Sequence, residues 1–483
     1  MNPQSENIDP TEQSKGLSPT PQDFKAPQPP AETKLAPEIR LDEPSQDSTA
    51  SIVKEPLFEP ILQDKPEPEH EPEIYIDDEP HYETNIHHGV QTEDLEYPSP
   101  VAPVPVATTT EKTPKTNVRI RSIDALRGFD MFWIVGGASL ITHLSKLYDW
   151  PWLQWASTQL HHPAWEGFTF FDLIFPLFLF LAGASMPISL GKKLDRGASK
   201  TSLLGKISIR AIILILLGII YNGGLAFDKL ENTRLCSVLG FIGISYFIAG
   251  LIFIFADVKH RVMWPIGMLG GYYAALMFIN VPDHGAGALT PEGVFTGYID
   301  QTWAAWKIYT PNFDPEGLFL PIAGAVVAII GSLTGSFLVR CSWNKFIKAI
   351  MLLIFGAIFY GAYYGLQQVH PEMIVAKSFW SPPFVLLCLG WSLLLLGAFY
   401  FIMDAIGFWH WAFFFIVIGM NSITIYMADR LFNIGHTSNF LFGGAINKFF
   451  KEEYQPLLTS IAFILVWWVI LFFMYRKKIF LRV

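Results

Sequence analysis

The feature that most constrains this chain is the recurrence of long apolar runs beyond residue 128. About 20 apolar residues suffice to cross a bilayer as a helix, where every backbone polar group must be satisfied internally. Ten such segments are expected. They lie near residues 128–146, 168–190, 207–226, 237–256, 263–281, 317–339, 346–367, 382–403, 410–430 and 455–475. Glycines and polar residues interrupt the first and the ninth. The pattern predicts an all-α integral membrane protein, a bundle of about ten transmembrane helices.

Residues 1–117 read quite differently. They hold 24 Asp and Glu against 8 Lys and Arg, whereas the rest of the chain holds 19 against 26. Runs such as DKPEPEHEPEIYIDDEP bury too little apolar surface to offset chain entropy. Two domains are therefore expected: a disordered, acidic, Pro-rich tail over 1–117 and a multi-span membrane domain over 118–483. The tail lacks the basic and apolar regions of a signal peptide. Its histidines, His70, His81, His87 and His88, read as solvated side chains rather than a metal site. Cys236, Cys341 and Cys388 fall in or near apolar stretches and read as buried free thiols.

Lys and Arg set the orientation. Arg119, Arg121 and Arg127 precede the first span, and Lys192, Lys193, Arg196, Lys200 and Lys206 fill the connection after the second. Further basic residues recur on the same side, up to Arg476, Lys477, Lys478 and Arg482. Both termini are therefore expected in the cytoplasm, and the loop with His161 and His162 outside it. The basic 191–206 loop is explained by topology alone; contact with an anionic cytosolic ligand such as a nucleotide phosphate is the alternative.

Charged groups at bilayer depth are costly and usually face a cavity or one another. Asp124, Asp130, Asp172, Asp314, Glu316, Asn421, Asp429 and Arg430 lie in or at the edges of the expected spans. Asp172 sits at the start of the second span, four residues before Pro176, which cannot donate back to the Asp172 carbonyl. It reads equally as the wall of a site or as a structural carboxylate. His162, in HPAWEG, suits proton transfer near neutral pH, but a histidine beside Trp is also an ordinary interface anchor. Asn421 reads first as a bridge between helices. In DPEG, Asp314 is expected to cap the sixth span, with Pro315 at its first position and Glu316 favoured by the helix dipole. No phosphate-loop, zinc, GxSxG or nucleic-acid motif is present.

Taken together, RIRSIDALRGFDMFWIVGG, HHPAWEGFTFFDLIFPLFLFLAGAS, GYID, DPEG, AKSFWSPPFVL, GMNSITIY and YRKKIF resemble the heparan-α-glucosaminide N-acetyltransferase family, in particular its prokaryotic members. The resemblance covers about residues 118–483. It implies a multi-span acyltransferase that passes an acetyl group from cytosolic acetyl-CoA to the amine of a glucosamine across the membrane. It also implies that His162, in the H-x-x-W-x-G setting, is the catalytic residue, as base or as acetyl carrier. By the same resemblance Asp172 matches the family's D-L-x-F-P aspartate, where it would orient the imidazole. Asn421 is the polar member of G-M-N-S and a candidate donor to the oxyanion. Arg121, Arg127, Lys192 and Lys193 are the expected cations for the CoA phosphates, with no metal involved. IVGGAS and LGF depart from the animal enzymes, so the acceptor need not be heparan.

The leading expectation is thus a multi-pass acetyltransferase of the plasma (inner) membrane. Its expected partners are an amino sugar or glycan acceptor and the lipid bilayer, without nucleic acid, and a homodimer is compatible with it. The rival classes are a sugar transporter of the same fold and a scaffold working through its acidic tail.

Overall fold

Residues 120–223 and 229–480 are described by a computed structural model. The expected tail, 1–117, lies outside the described residues. The chain opens with α1 (Arg121–Phe132), a wide π turn (Trp133–Gly137) and α2 (Ala138–Leu147), followed by α3 (Pro151–Thr158), α4 (Phe170–Ala184) and the short α5 (Lys192–Asp195). Next come α6 (Lys200–Gly223), α7 (Val238–Phe255) and α8 (Val258–Phe278). A two-residue hairpin pairs β1 (Asn280–Val281) with β2 (Gly285–Ala286) in antiparallel register. Then α9 (Phe295–Trp303), α10 (Pro321–Arg340), α11 (Lys345–Val369) and α12 (Pro382–Tyr400) follow. The C-terminal part holds α13 (Phe413–Gly419), α14 (Ser422–Leu431), α15 (Ile434–Ser438), α16 (Gly444–Phe449) and α17 (Gln455–Arg476).

The all-α membrane architecture stands. Among the described residues, seven helices are long and apolar enough to cross a membrane, and eight when α13 and α14, bent by 56°, count as one broken span. The ten expected crossings are not reached. The stretches expected as the first and fifth spans are helical, as α1–α2 and α8, but polar content keeps them below that apolarity. Arg127 and Asp130 dilute the one; Arg261, Pro265 and the Gly270–Gly271 pair dilute the other.

The centre of the bundle is α4, packed on α10. Their backbones meet through small residues: Gly331 lies against the Phe180 carbonyl and Gly335 against that of Ala184. Close packing of small residues is how helices associate where no water drives them together. A similar notch joins Gly128 of α1 to Gly419 of α13, backbone against backbone. Around α4 lies an aromatic core in which Phe241, Trp380 and Phe384 pack in edge and tilted contacts. Pro176 sits inside α4 without ending the helix. Cys236 and Cys341 are half-buried, Cys388 is buried, and all three are free thiols.

DPEG departs from expectation. α10 begins at Pro321, so Asp314 does not cap it. The carboxylate is instead held by Arg234, whose Nε and Nη2 donate to its two oxygens at 3.0 and 2.6 Å. Arg234 also donates to Glu316, and Asp314 further accepts the Tyr309 and Glu316 backbone N–H groups. A bidentate guanidinium outcompetes a helix end for a buried carboxylate.

Candidate active site

The loop between α3 and α4 places His162. Phe171 N–H donates to the Gln159 carbonyl at 3.0 Å, and Phe170 N–H to Gln159 Oε1 at 3.2 Å, so the loop closes tightly over the start of α4. Thr169 and Asp172 form a capping box there. Thr169 N–H donates to Asp172 Oδ2 at 3.0 Å, which fixes that carboxylate's rotamer. Its other oxygen, Oδ1, lies 2.6 Å from His162 Nδ1. Asp172 is fully buried, whereas the His162 side chain is 47% exposed. A buried carboxylate on Nδ1 holds that nitrogen protonated and leaves Nε2 with its lone pair facing outward.

The spacing H-x-x-W-x-G has a local reason. Trp165 Nε1 donates to the Leu289 carbonyl at 2.8 Å, and its ring packs on Phe313 and Phe379. Gly167 has φ +126°, a region an L side chain rarely adopts, and its N–H donates to the Val375 carbonyl at 2.8 Å. The imidazole is thus mounted between two anchors. His161 instead bonds the Ser157 carbonyl through Nδ1 at 2.8 Å, and Glu166 is exposed.

A third group completes the site. Lys377 Nζ lies 3.2 Å from His162 Nε2 and 3.6 Å from Asp172 Oδ1. Nζ is also 3.3 Å from Nδ1, so the ammonium lies over the face of the ring and leaves the in-plane Nε2 lone pair free. Burial pushes the Lys377 ammonium below the usual lysine range, while Asp172 and Glu316 pull it back up. Its turn is tied at three points. Ser381 Oγ accepts the Ala376 N–H at 3.0 Å, Trp380 N–H bonds the Lys377 carbonyl at 3.1 Å, and the Tyr272 hydroxyl bonds the Phe379 carbonyl at 2.6 Å. Trp380 itself sits at φ +47°, a strained conformation for a bulky residue. Lys377 is the lysine of the AKSFWSPPFVL motif, to which the sequence reading attached no role; it lies 215 residues from His162 in the chain.

The remaining expected residues gather elsewhere. Arg127 Nη2 donates to Ser185 Oγ at 2.8 Å, 13 positions along from Asp172, or about 20 Å at the rise of a helix. There a cavity of about 260 Å³ is lined by Asp124, Arg127, Ser185, Ser189, Arg210 and Ser422. Asn421 stands at the break between α13 and α14, beside this cavity's Met420 and Ser422, and donates to the Ile479 carbonyl at 3.2 Å. It is not brought to His162. Arg121 lies over the Trp409 ring at 4.3 Å, and Lys192 and Lys193 belong to α5, outside the cavity lining. Arg210 is the cation that sequence reasoning missed. It packs over Tyr246 at 4.4 Å, with its buried Nε unpartnered. An arginine inside the apolar run KISIRAIILILL was the available signal.

Comparison with known proteins fits the resemblance read from the motifs. A sequence family described as a domain of unknown function (DUF5009) matches residues 119–262. The chain is 28% identical over 428 residues to the heparan-alpha-glucosaminide N-acetyltransferase of Homo sapiens, covering 76% of this chain and 60% of that protein. It is 29% identical over 385 residues to the Mus musculus protein of the same name, covering 67% and 56%. The matched region therefore spans less than two thirds of either curated relative.

Proposed function

We propose that this chain is a multi-pass membrane acetyltransferase. It takes the acetyl group of cytosolic acetyl-CoA and passes it to the amine of an amino sugar or glycan on the extracytoplasmic side. Its membrane is the plasma (inner) membrane, with both termini cytoplasmic. The observation that carries this reading is the His162–Asp172 pair with Lys377 at one end of α4 and a basic cavity at the other. The names of the two relatives support the acetyl chemistry and an amine acceptor.

In this reading His162 Nε2 takes a proton as the acceptor nitrogen attacks the thioester carbonyl. The C–N bond forms, the C–S bond breaks, and the CoA sulfur leaves and takes up the proton. Asp172 holds the imidazole in the tautomer that leaves Nε2 basic and stabilises the imidazolium between the two steps. Lys377 supplies the donor for the oxyanion, the part expected of Asn421. Arg127 and Arg210 face the anionic donor, and Ser185 and Ser189 add neutral hydrogen bonds. The burial of Asp172 and the exposure of His162 support this division: the carboxylate is shielded and the ring is open to substrate.

The test is acetyl transfer by the full chain in proteoliposomes, with radiolabelled acetyl-CoA on one side and glucosamine on the other. Transfer should be lost in His162→Ala while the melting curve stays cooperative. Unchanged transfer would remove His162 from the mechanism, and CoA-independent sugar uptake would favour the transporter. Acetyl-histidine trapped at position 162 would replace the base by a two-step route.

A further inference from the structure

The proposed reaction leaves one polar cavity unused. It lies against α2, which leads through a three-residue turn and α3 to His161, so it belongs to the end of the bundle that carries His162. Its volume is about 550 Å³, and its polar lining includes His143, Ser438, Asn447, Glu452, Gln455 and Thr459. Two contacts pin the π turn and α2 to α17 beside it. Gly136 approaches Ile464 so closely that an added Cβ would come within 2.7 Å of its Cγ1, and His143 Nδ1 lies 2.9 Å from Ser460 Oγ.

Ser438 belongs to the wall, but protein atoms cover its hydroxyl and the residue is 1% exposed. The accessible polar groups are those of His143, Asn447, Glu452, Gln455 and Thr459. The lining chemistry narrows the class. Hydroxyls, carboxamides and an imidazole suit a polyol, and the one carboxylate, Glu452, suits an amine. Among the described residues neither lysine nor arginine lines the cavity, so a phosphate or sulfate would meet no countercharge. We propose that this cavity is a second saccharide site, separate from the His162 centre, that takes a neutral or amino sugar. It stands whether or not His162 transfers acetyl groups.

The full chain in nanodiscs is labelled with a glucosamine carrying a diazirine, and the labelled peptides are mapped by mass spectrometry. Label is expected within 434–463. Excess glucosamine should compete it away, glucose 6-phosphate should not, and His162→Ala should keep it. Asn447→Ala and Glu452→Gln should each lower that label about tenfold, the loss of one good hydrogen bond. Label near His162 and acetyl transfer to a free monosaccharide should not change. Absence of competable label in 434–463, label that survives both substitutions, or equal competition by glucose 6-phosphate would overturn the proposal. Displacement by phosphatidylethanolamine instead of sugar would assign the cavity to a lipid headgroup and equally overturn it.

Discussion

The two ends of α4 are built on opposite plans. At the His162 end each polar group has a partner on a different segment: Asp172 on α4, Lys377 in the turn before α12, and Trp165 held through Leu289. At the Arg127 end the ordering is weaker: Arg127 has Ser185 and, at 3.9 Å, Asp124, and Arg210 has a buried nitrogen with nothing to bond. A site that must hold reacting atoms in register gains when its groups are already ordered, since no reorganisation is then left for the reaction itself. A site that must receive a large, charged molecule gains from donors left over. The difference fits the proposal that chemistry belongs to one end and capture to the other.

The sharpest way to break this contrast is at His162. His162→Ala should lower acetyl transfer by about 10²–10⁴-fold, the usual worth of a general base, with the KM for acetyl-CoA little changed. Asp172→Asn keeps the volume but loses the tautomer control, and should cost about 10–100-fold in kcat. Arg210→Met should raise the KM for acetyl-CoA about tenfold and leave kcat near its original value. Initial-rate kinetics on all three would exchange the roles of the ends if Arg210→Met struck kcat and His162→Ala struck KM alone.

A smaller effect concerns what braces the catalytic end. Burial lifts the Asp300 carboxyl to about 6, although the Leu318 and Asp314 N–H groups pull it down. A carboxyl raised in the folded state binds its proton more tightly there than in the unfolded chain. Its contribution is therefore full below about pH 4 and is lost as pH rises through about 6, on the order of 1–3 kcal/mol. Asp300→Asn should flatten that slope, as read from thermal melts across the same window.

The apolar runs, the helical class and the setting of His162 were legible because they are local: a run of residues, or a spacing of ten between His162 and Asp172. What escaped was long-range. Lys377 reaches His162 across 215 residues, and Arg234 reaches Asp314 across 80. Asp314 was misread for that reason, because an acidic residue before proline and a helix looks like a cap until a distant guanidinium claims it. Arg210, inside the apolar run KISIRAIILILL, was passed over altogether. Ten crossings were expected because α1–α2, despite its interruptions, and α8 were kept as spans, where glycines and charges thin the apolar content.

The left-handed Trp380 has a kinetic consequence. A backbone in that region stores about 1–3 kcal/mol, held down here by the rings of Phe175, Phe241 and Phe384. On warming, a spring of this kind releases first where it is loaded. The turn that carries Lys377 should therefore relax while the helices around it are still intact. Catalysis would then fade at a lower temperature than the bundle melts, a gap that activity and circular dichroism followed on one sample would resolve.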